Sequence, residues 1–224
     1  MKESKARQPS KIAQRRELAR QERSPAWLEQ RAQIIEKAAE VFAIRGFNGT
    51  SITDIANHLG ISQSNIYYYF GTKEEIFLEL VRQSTDYNVH GAEAVAAKPN
   101  SATDRIAEVV ELLATSYEMQ YPFLNIYVQE DARWISSSGT ELQQVFVESA
   151  RRFEDAVRSI AEDGIRNGEF RSDLNARMVT YTILGAVNWM HRWYRPGGPL
   201  TGAEIGKAMS DILLRGVVDA PTST

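Results

Sequence analysis

Apolar positions recur with helical spacing along most of this chain. From Trp27 onward, Ile35, Ala38, Ala39 and Phe42 fall at i, i+3, i+4 and i+7, the signature of one buried helix face. Ser24-Pro25 supplies the start, an N-capping serine with proline at the first helical position. Gly46 supplies the stop. Ile52, Ile55, Ala56 and Leu59 repeat the spacing in a shorter element, with Ser51 and Asp54 placed as a capping box and Gly60 at its end. Ser62 caps a third element, Gln63–Phe70, which Gly71-Thr72 breaks. Thr72 and Glu75 cap a fourth that runs to Ala97. Lys98-Pro99-Asn100 is a linker. Beyond it, helices are expected over Asp104–Gln120, Pro122–Ile135, Thr140–Asn167, Asp173–Tyr194 and Thr201–Val218. Gly168 and Pro196-Gly197-Gly198-Pro199 punctuate them, and Thr201 with Glu204 forms another capping box. No stretch sustains period-2 alternation, so the fold class is all-α. Asn48-Gly49 is a hairpin signal and, with Thr50, a glycosylation sequon. Between helical flanks both are idle.

Charge changes the picture at one end only. The 224 residues hold 26 Lys+Arg and 29 Asp+Glu, net −3, which excludes a globally basic nucleic-acid binder. Residues 1–24 nevertheless carry Lys2, Lys5, Arg7, Lys11, Arg15, Arg16, Arg20 and Arg23 against Glu3, Glu17 and Glu22. That is net +5, leaving −8 for the rest. A basic arm on an acidic body is expected, with at most nascent helix around Ile12–Arg20. The arm could follow a nucleic-acid backbone or serve only as a solvated tail.

With no cysteine, disulfide scaffolds, thiolate metal sites and thiol catalysis are excluded. His58, His90 and His191 lie far apart, without metal-ligand spacing. No apolar run approaches the ~20 residues of a membrane helix, and residues 1–24 contain no apolar secretory core. A cytoplasmic protein is expected.

The informative segment is Ser51–Lys73. Two short helices joined at Gly60 make a helix-turn-helix, whose second helix enters the major groove of duplex DNA by its N-terminal residues. Those residues are Ser62, Gln63, Ser64 and Asn65. Gln and Asn can bond adenine bidentately. Tyr67, Tyr68 and Tyr69 follow; three consecutive tyrosines on one short helix cannot all be buried, and their hydroxyls can reach phosphates. Lys73 stands at the next helix start, where a cation and exposed N–H groups both favour phosphate. Thr50, Ser51 and Thr53 occupy the equivalent place on the bracing helix. Singly, each of these residues reads as a cap, a packing residue or ordinary surface; together they read as a DNA interface.

The run A-A-E-V-F-A-I-R-G-F-N-G-T-S-I-T-D-I-A-N-H-L-G-I-S-Q-S-N-I-Y-Y-Y-F-G-T-K-E-E-I-F, within Ile34–Leu80, resembles the DNA-binding domain of the TetR family of transcriptional regulators. The resemblance implies four parts: an arm (1–24), a three-helix reader (25–72), a connecting helix (73–97) and a helical ligand-binding and dimerisation domain (98–224). It implies a homodimer on a palindromic operator in double-stranded DNA, released by a small-molecule effector, repression being the commoner mode. Carried over by position, Thr50, Ser51, Thr53, Ser62, Gln63, Ser64, Asn65, Tyr67, Tyr68, Tyr69 and Lys73 are the DNA-contacting candidates. Many members have His where Tyr69 stands. The last two helices would form the dimer interface, with Ile205, Met209, Ile212, Leu213 and Val217 as an apolar stripe. Such a stripe is as readily intrachain core.

Tyr117, Tyr121, Tyr127, Glu130, Trp134, Leu184, Asn188 and Arg192 combine aromatic and polar character on the inner helices and are the candidate effector-pocket residues. The run from His191 to Leu200 is similar to the junction between the last two helices in a branch of the family that answers to acyl-CoA thioesters. Arg192 and Arg195 could pair with phosphates there, or the motif could be a structural stop.

Two other classes fit less. An enzyme would need a paired acid and base, and Glu130-Asp131, adjacent on a helix, point about 100° apart. No nucleophile triad or phosphate-cradling loop is visible, so no catalytic residue and no cofactor is expected. A helical adaptor would need only the arm.

Overall fold

The structure is a computed structural model and describes residues 24–120, 141–195 and 197–218. It divides into two compact units, one ending at Leu80 and one beginning at Val81.

The first unit holds α1 (Pro25–Arg45), α2 (Ile52–Leu59), α3 (Gln63–Tyr69) and the start of α4 (Lys73–Ala96). Local chemistry sets the ends. The Ser24 hydroxyl accepts from Trp27 N at 3.3 Å, with Pro25 behind it. Ser51 and Asp54 cap α2 reciprocally. Gly60 closes α2 at φ 68°, a left-handed position where a side chain would be strained. At the start of α4 Thr72 accepts from Glu75 N, but the Glu75 carboxylate reaches back past it to Gly71 N at 2.8 Å. The core of this unit is Ile34, Ala38, Phe42, Phe47, Ile55, Ile66, Phe70, Ile76 and Phe77. Phe42, Phe47 and Phe77 meet with ring centroids 4.7–5.6 Å apart. Asn48-Gly49 forms a turn between helices, not a hairpin; a Cβ on Gly49 would collide with the Arg45 carbonyl oxygen.

The second unit packs the rest of α4 with α5 (Ala102–Met119), α6 (Glu141–Arg166), α7 (Ala176–Asn188), α8 (Met190–Trp193) and α9 (Gly202–Val217). Its core runs through Val89, Ile106, Val110, Leu113, Val157, Ile160, Phe170, Ile183, Val187 and Met190. Arg105 is buried there. Its guanidinium bonds Asp163 Oδ2 at 3.1 and 3.2 Å and donates to the Ala96 carbonyl at 2.9 Å, closing the end of α4. Glu93 and Arg152 form a two-bond pair at 2.7 and 2.9 Å.

The single helix expected over Asp173–Tyr194 is two: Asn175 caps α7, and the chain breaks at Trp189 before α8. The stripe on α9 resolves mostly into intrachain core. Ile205 is buried and Met209, Leu213 and Val217 pack against the core; only Ile212 stands clear, 71% exposed. Among the described residues the sole β pairing is an isolated bridge, Phe170 to Val218. No described helix is long and apolar enough to cross a membrane. The arm, the Pro122–Ile135 helix and the Ser136–Gly139 break lie outside the described residues.

Candidate nucleic-acid interface

Gly60 turns the chain between α2 and α3, and Ser62 restarts it by accepting from Asn65 N at 3.2 Å. This leaves Ser62, Gln63, Ser64 and Asn65 exposed together at the start of α3. Gln63 Nε2 donates to Thr53 Oγ1 at 2.5 Å, so the two helices are tied by their polar faces. That bond uses one amide hydrogen and leaves Gln63 a second hydrogen and its carbonyl oxygen. Those are the donor and acceptor that a bidentate contact to adenine requires.

The tyrosines divide by environment. Tyr67 is the exposed one. Tyr68 and Tyr69 are half-buried and meet edge to face at 4.9 Å. Tyr69 also packs on Trp27 of α1 at 5.7 Å. Burial, with Tyr68 beside it, pushes the Tyr69 phenol above its ordinary pKa. It is therefore a neutral hydrogen-bonding group.

Three of the candidate side chains also make bonds within the unit. Thr50 is 3% exposed and donates its hydroxyl to the Gly46 carbonyl at 2.7 Å, so the fold spends that side chain on the α1–α2 loop, against the expectation from sequence. Ser51 donates its hydroxyl to Asp54 Oδ2 at 2.5 Å and accepts from Asp54 N. The hydroxyl bond, together with the Ser51 N–H donated to Asp54 Oδ2 at 2.9 Å, holds the Asp54 carboxyl below its ordinary pKa, with Arg45 paired on its other side. Lys73 folds back. Its ammonium donates to the carbonyls of Phe47 and Thr50, 2.9 Å each, and lies 4.5 Å from the Phe47 ring centroid. One N–H remains for a phosphate.

Beneath α3 is a cluster that sequence reasoning missed. Arg31 Nη2 donates to Glu79 at 2.9 Å, while its guanidinium carbon lies 4.7 Å from the Phe70 ring and 5.8 Å from the Trp27 ring. Trp27 and Arg31 are four apart on α1, so they share a face. A lone arginine among polar residues carries no such signal, because its partners are 39 and 48 positions away.

Of the candidate pocket residues in the second unit, Tyr117 and Leu184 share one core and Tyr117 reaches the Asn188 backbone, while Arg192 stands apart. Tyr117 is buried, donates to the Asn188 carbonyl at 3.2 Å, and has its phenol pushed up to about 12 by burial. Leu184 packs against the core. Asn188, whose carbonyl Tyr117 reaches, and Arg192 are exposed, and the Arg192 guanidinium lies 5.5 Å from the Trp189 ring. Tyr121, Tyr127, Glu130 and Trp134 lie outside the described residues. No grouping of three metal-ligating side chains exists among the described residues.

Comparison with known proteins places this geometry. The family described as bacterial regulatory proteins, tetR family, matches residues 34–80. The family described as tetracyclin repressor-like, C-terminal domain, matches residues 99–217. The HTH-type transcriptional repressor KstR2 of Rhodococcus jostii is 30% identical over 192 residues, 84% of this chain and 90% of that protein. The fatty acid metabolism regulator protein of Bacillus subtilis is 28% identical over 70% of this chain and 78% of its own. The structure of the ketosteroid transcriptional regulator KstR2 of Mycobacterium tuberculosis superposes with a TM-score of 0.77 at 27% identity, covering 85% of this chain and 96% of that one.

Proposed function

Since the chain belongs to the TetR family of DNA-binding transcriptional regulators, we propose that it represses transcription from a palindromic operator and is released by an acyl-CoA thioester. The observation that carries the DNA reading is the start of α3. Gln63, fixed by Thr53, stands exposed beside Ser64 and Asn65 with donors and acceptors free for base edges. Tyr67, Tyr68 and the remaining Lys73 N–H take flanking phosphates, and Thr53, Ser62 and Ser51 border the same surface.

The protein acts as a homodimer. On α7, Met178, Tyr181 and Gly185 form an exposed stripe that Trp189 continues; Ile212 and Gly216 are exposed on α9. A Cβ at Gly185 or Gly216 would meet nothing within 4 Å, so the backbone is open to close approach by a second copy. Gly185→Arg should yield a folded monomer by sedimentation.

The acyl-CoA assignment is supported by the similarity of the His191–Leu200 junction to a thioester-responsive branch. It is supported also by relatives named for ketosteroid and fatty-acid regulation. Release is a population shift carried by α4. We assign regulation in the cytoplasm and no catalytic role.

The test is fluorescence anisotropy of a duplex from the gene's own upstream region, with and without mixed acyl-CoA thioesters. Tight binding that the mixture releases, and that Gln63→Ala and Asn65→Ala redirect to other sequences, supports the reading. Binding that the mixture leaves unmoved removes the effector class. Should unbiased selection of DNA sites recover no preferred sequence, the repressor reading fails.

A further inference from the structure

We propose that Arg31 is a positioning residue for DNA reading, through which α4 fixes how α3 is presented to the groove. Three observations converge on it. Its guanidinium lies against Phe70, the residue that closes α3, which is 1% exposed. The same group lies against Trp27, whose ring holds Tyr69 and through it Tyr68. Its Nη2 is pinned by Glu79 of α4, and both side chains are half-buried, 19% and 26% exposed.

The chemistry requires arginine. A planar, delocalised guanidinium can lie against aromatic rings and donate in its own plane to a carboxylate at the same time; an ammonium offers only a point charge. The partial burial matters as well, since an ion pair there is screened less than one at the surface. The tail of α3 therefore rests on a plate whose position Glu79 sets. If α4 turns about its axis, Glu79 moves, and the plate under Phe70 and Trp27 moves with it. The start of α3 is tied separately, by Gln63 to Thr53. Arg31 thus governs the tilt of the helix about that tie.

This inference rests on the major-groove reading of α3 and extends it to a residue that touches no DNA. A plain fold staple would behave differently. Losing a staple lowers stability and all DNA binding together. Losing a positioning residue lowers base readout while phosphate contacts persist, because side chains on backbone phosphates tolerate a tilt that bidentate base contacts do not.

The experiment compares the native full chain, Arg31→Lys, Glu79→Gln and the double variant. Each is measured for thermal midpoint, for affinity to a duplex that the native protein selects from a random pool, and for affinity to an unrelated duplex of equal length across a salt series. The expected result is a selected-site affinity about tenfold weaker in either single variant, with the double variant no worse than the singles. Unrelated-duplex affinity should stay within about twofold and the salt slope should not change. Equal losses on both duplexes with a falling thermal midpoint would overturn the proposal in favour of a staple, and so would additive losses in the double variant. An unchanged selected-site affinity in Glu79→Gln would also overturn it. Should Arg31→Lys fail to fold, Glu79→Gln alone decides between these outcomes. If the native pool yields no selected site, the major-groove reading itself has failed and the proposal falls with it.

Discussion

Gln63 Nε2 donates to Thr53 Oγ1 at 2.5 Å, across the turn at Gly60, so the first residue of α3 is oriented by the helix before it. The bond fixes which amide hydrogen faces outward. Replacing Thr53 by Val keeps the shape and removes the acceptor. Gln63 then rotates freely, and the prediction is broadened base preference at one position of each half-site with little change in stability. A mismatch penalty of ~1–3 kcal/mol at that position should shrink. Competitive anisotropy against single-base variants of the selected site measures it.

Lys73 has two roles, and they separate by salt. Its ammonium holds the Phe47 and Thr50 carbonyls, so Lys73→Ala removes that cation from both, while the Phe47 carbonyl keeps the Thr50 N–H at 3.3 Å. Hydrogen bonds to charged groups contribute roughly 1.5–3 kcal/mol, so the thermal midpoint should fall. Binding should weaken on every duplex. If the third N–H meets a phosphate, the log–log salt slope falls by about one; an unchanged slope would assign Lys73 to the loop alone.

Arg105 is a buried cation whose removal should be costly. It has Asp163 and the Ala96 carbonyl as partners. Arg105→Met removes the donor to the Ala96 carbonyl and leaves Asp163, partly exposed, with Arg166 alone on its other oxygen. A loss of about 1.5–3 kcal/mol is expected, read by urea unfolding. Asp163→Asn should cost less, because it keeps an acceptor for the guanidinium.

Tyr117 makes the second unit sensitive to alkali. Its folded pKa is raised from 10.0 to about 12, and the cause is burial. A raised folded value means the contribution is complete below the unfolded pKa, near 10, and is lost as pH climbs through 12. Tyr117→Phe should flatten the decline of thermal midpoint in that window. At neutral pH it loses the 3.2 Å bond to the Asn188 carbonyl, a cost of ~1 kcal/mol.

The capping boxes at Ser51–Asp54 and Thr201–Glu204 form as the sequence signals them, and so do the serine caps at Ser24 and Ser62. These are contacts over three residues, and local chemistry decides them. Asp173–Tyr194 was harder to read, because nothing local announces a break at Trp189 within a continuous apolar pattern. The reader was legible because Ser62, Gln63, Ser64 and Asn65 follow directly on a turn, and a helix start exposes its first residues wherever it packs.

By itself the sequence determined the helix-turn-helix and the capped helix starts, though not the break at Trp189, because periodicity and capping act within a few residues. Tertiary structure decided which polar side chains remain available for function. It buried Thr50, folded Lys73 onto carbonyls 23 and 26 residues away, and put Arg192 against Trp189 outside the core. It also brought Arg31 to Glu79 and Phe70. Whether a donor is spent inside the fold or left for a partner depends on groups far along the chain, and only the packed structure sets those distances.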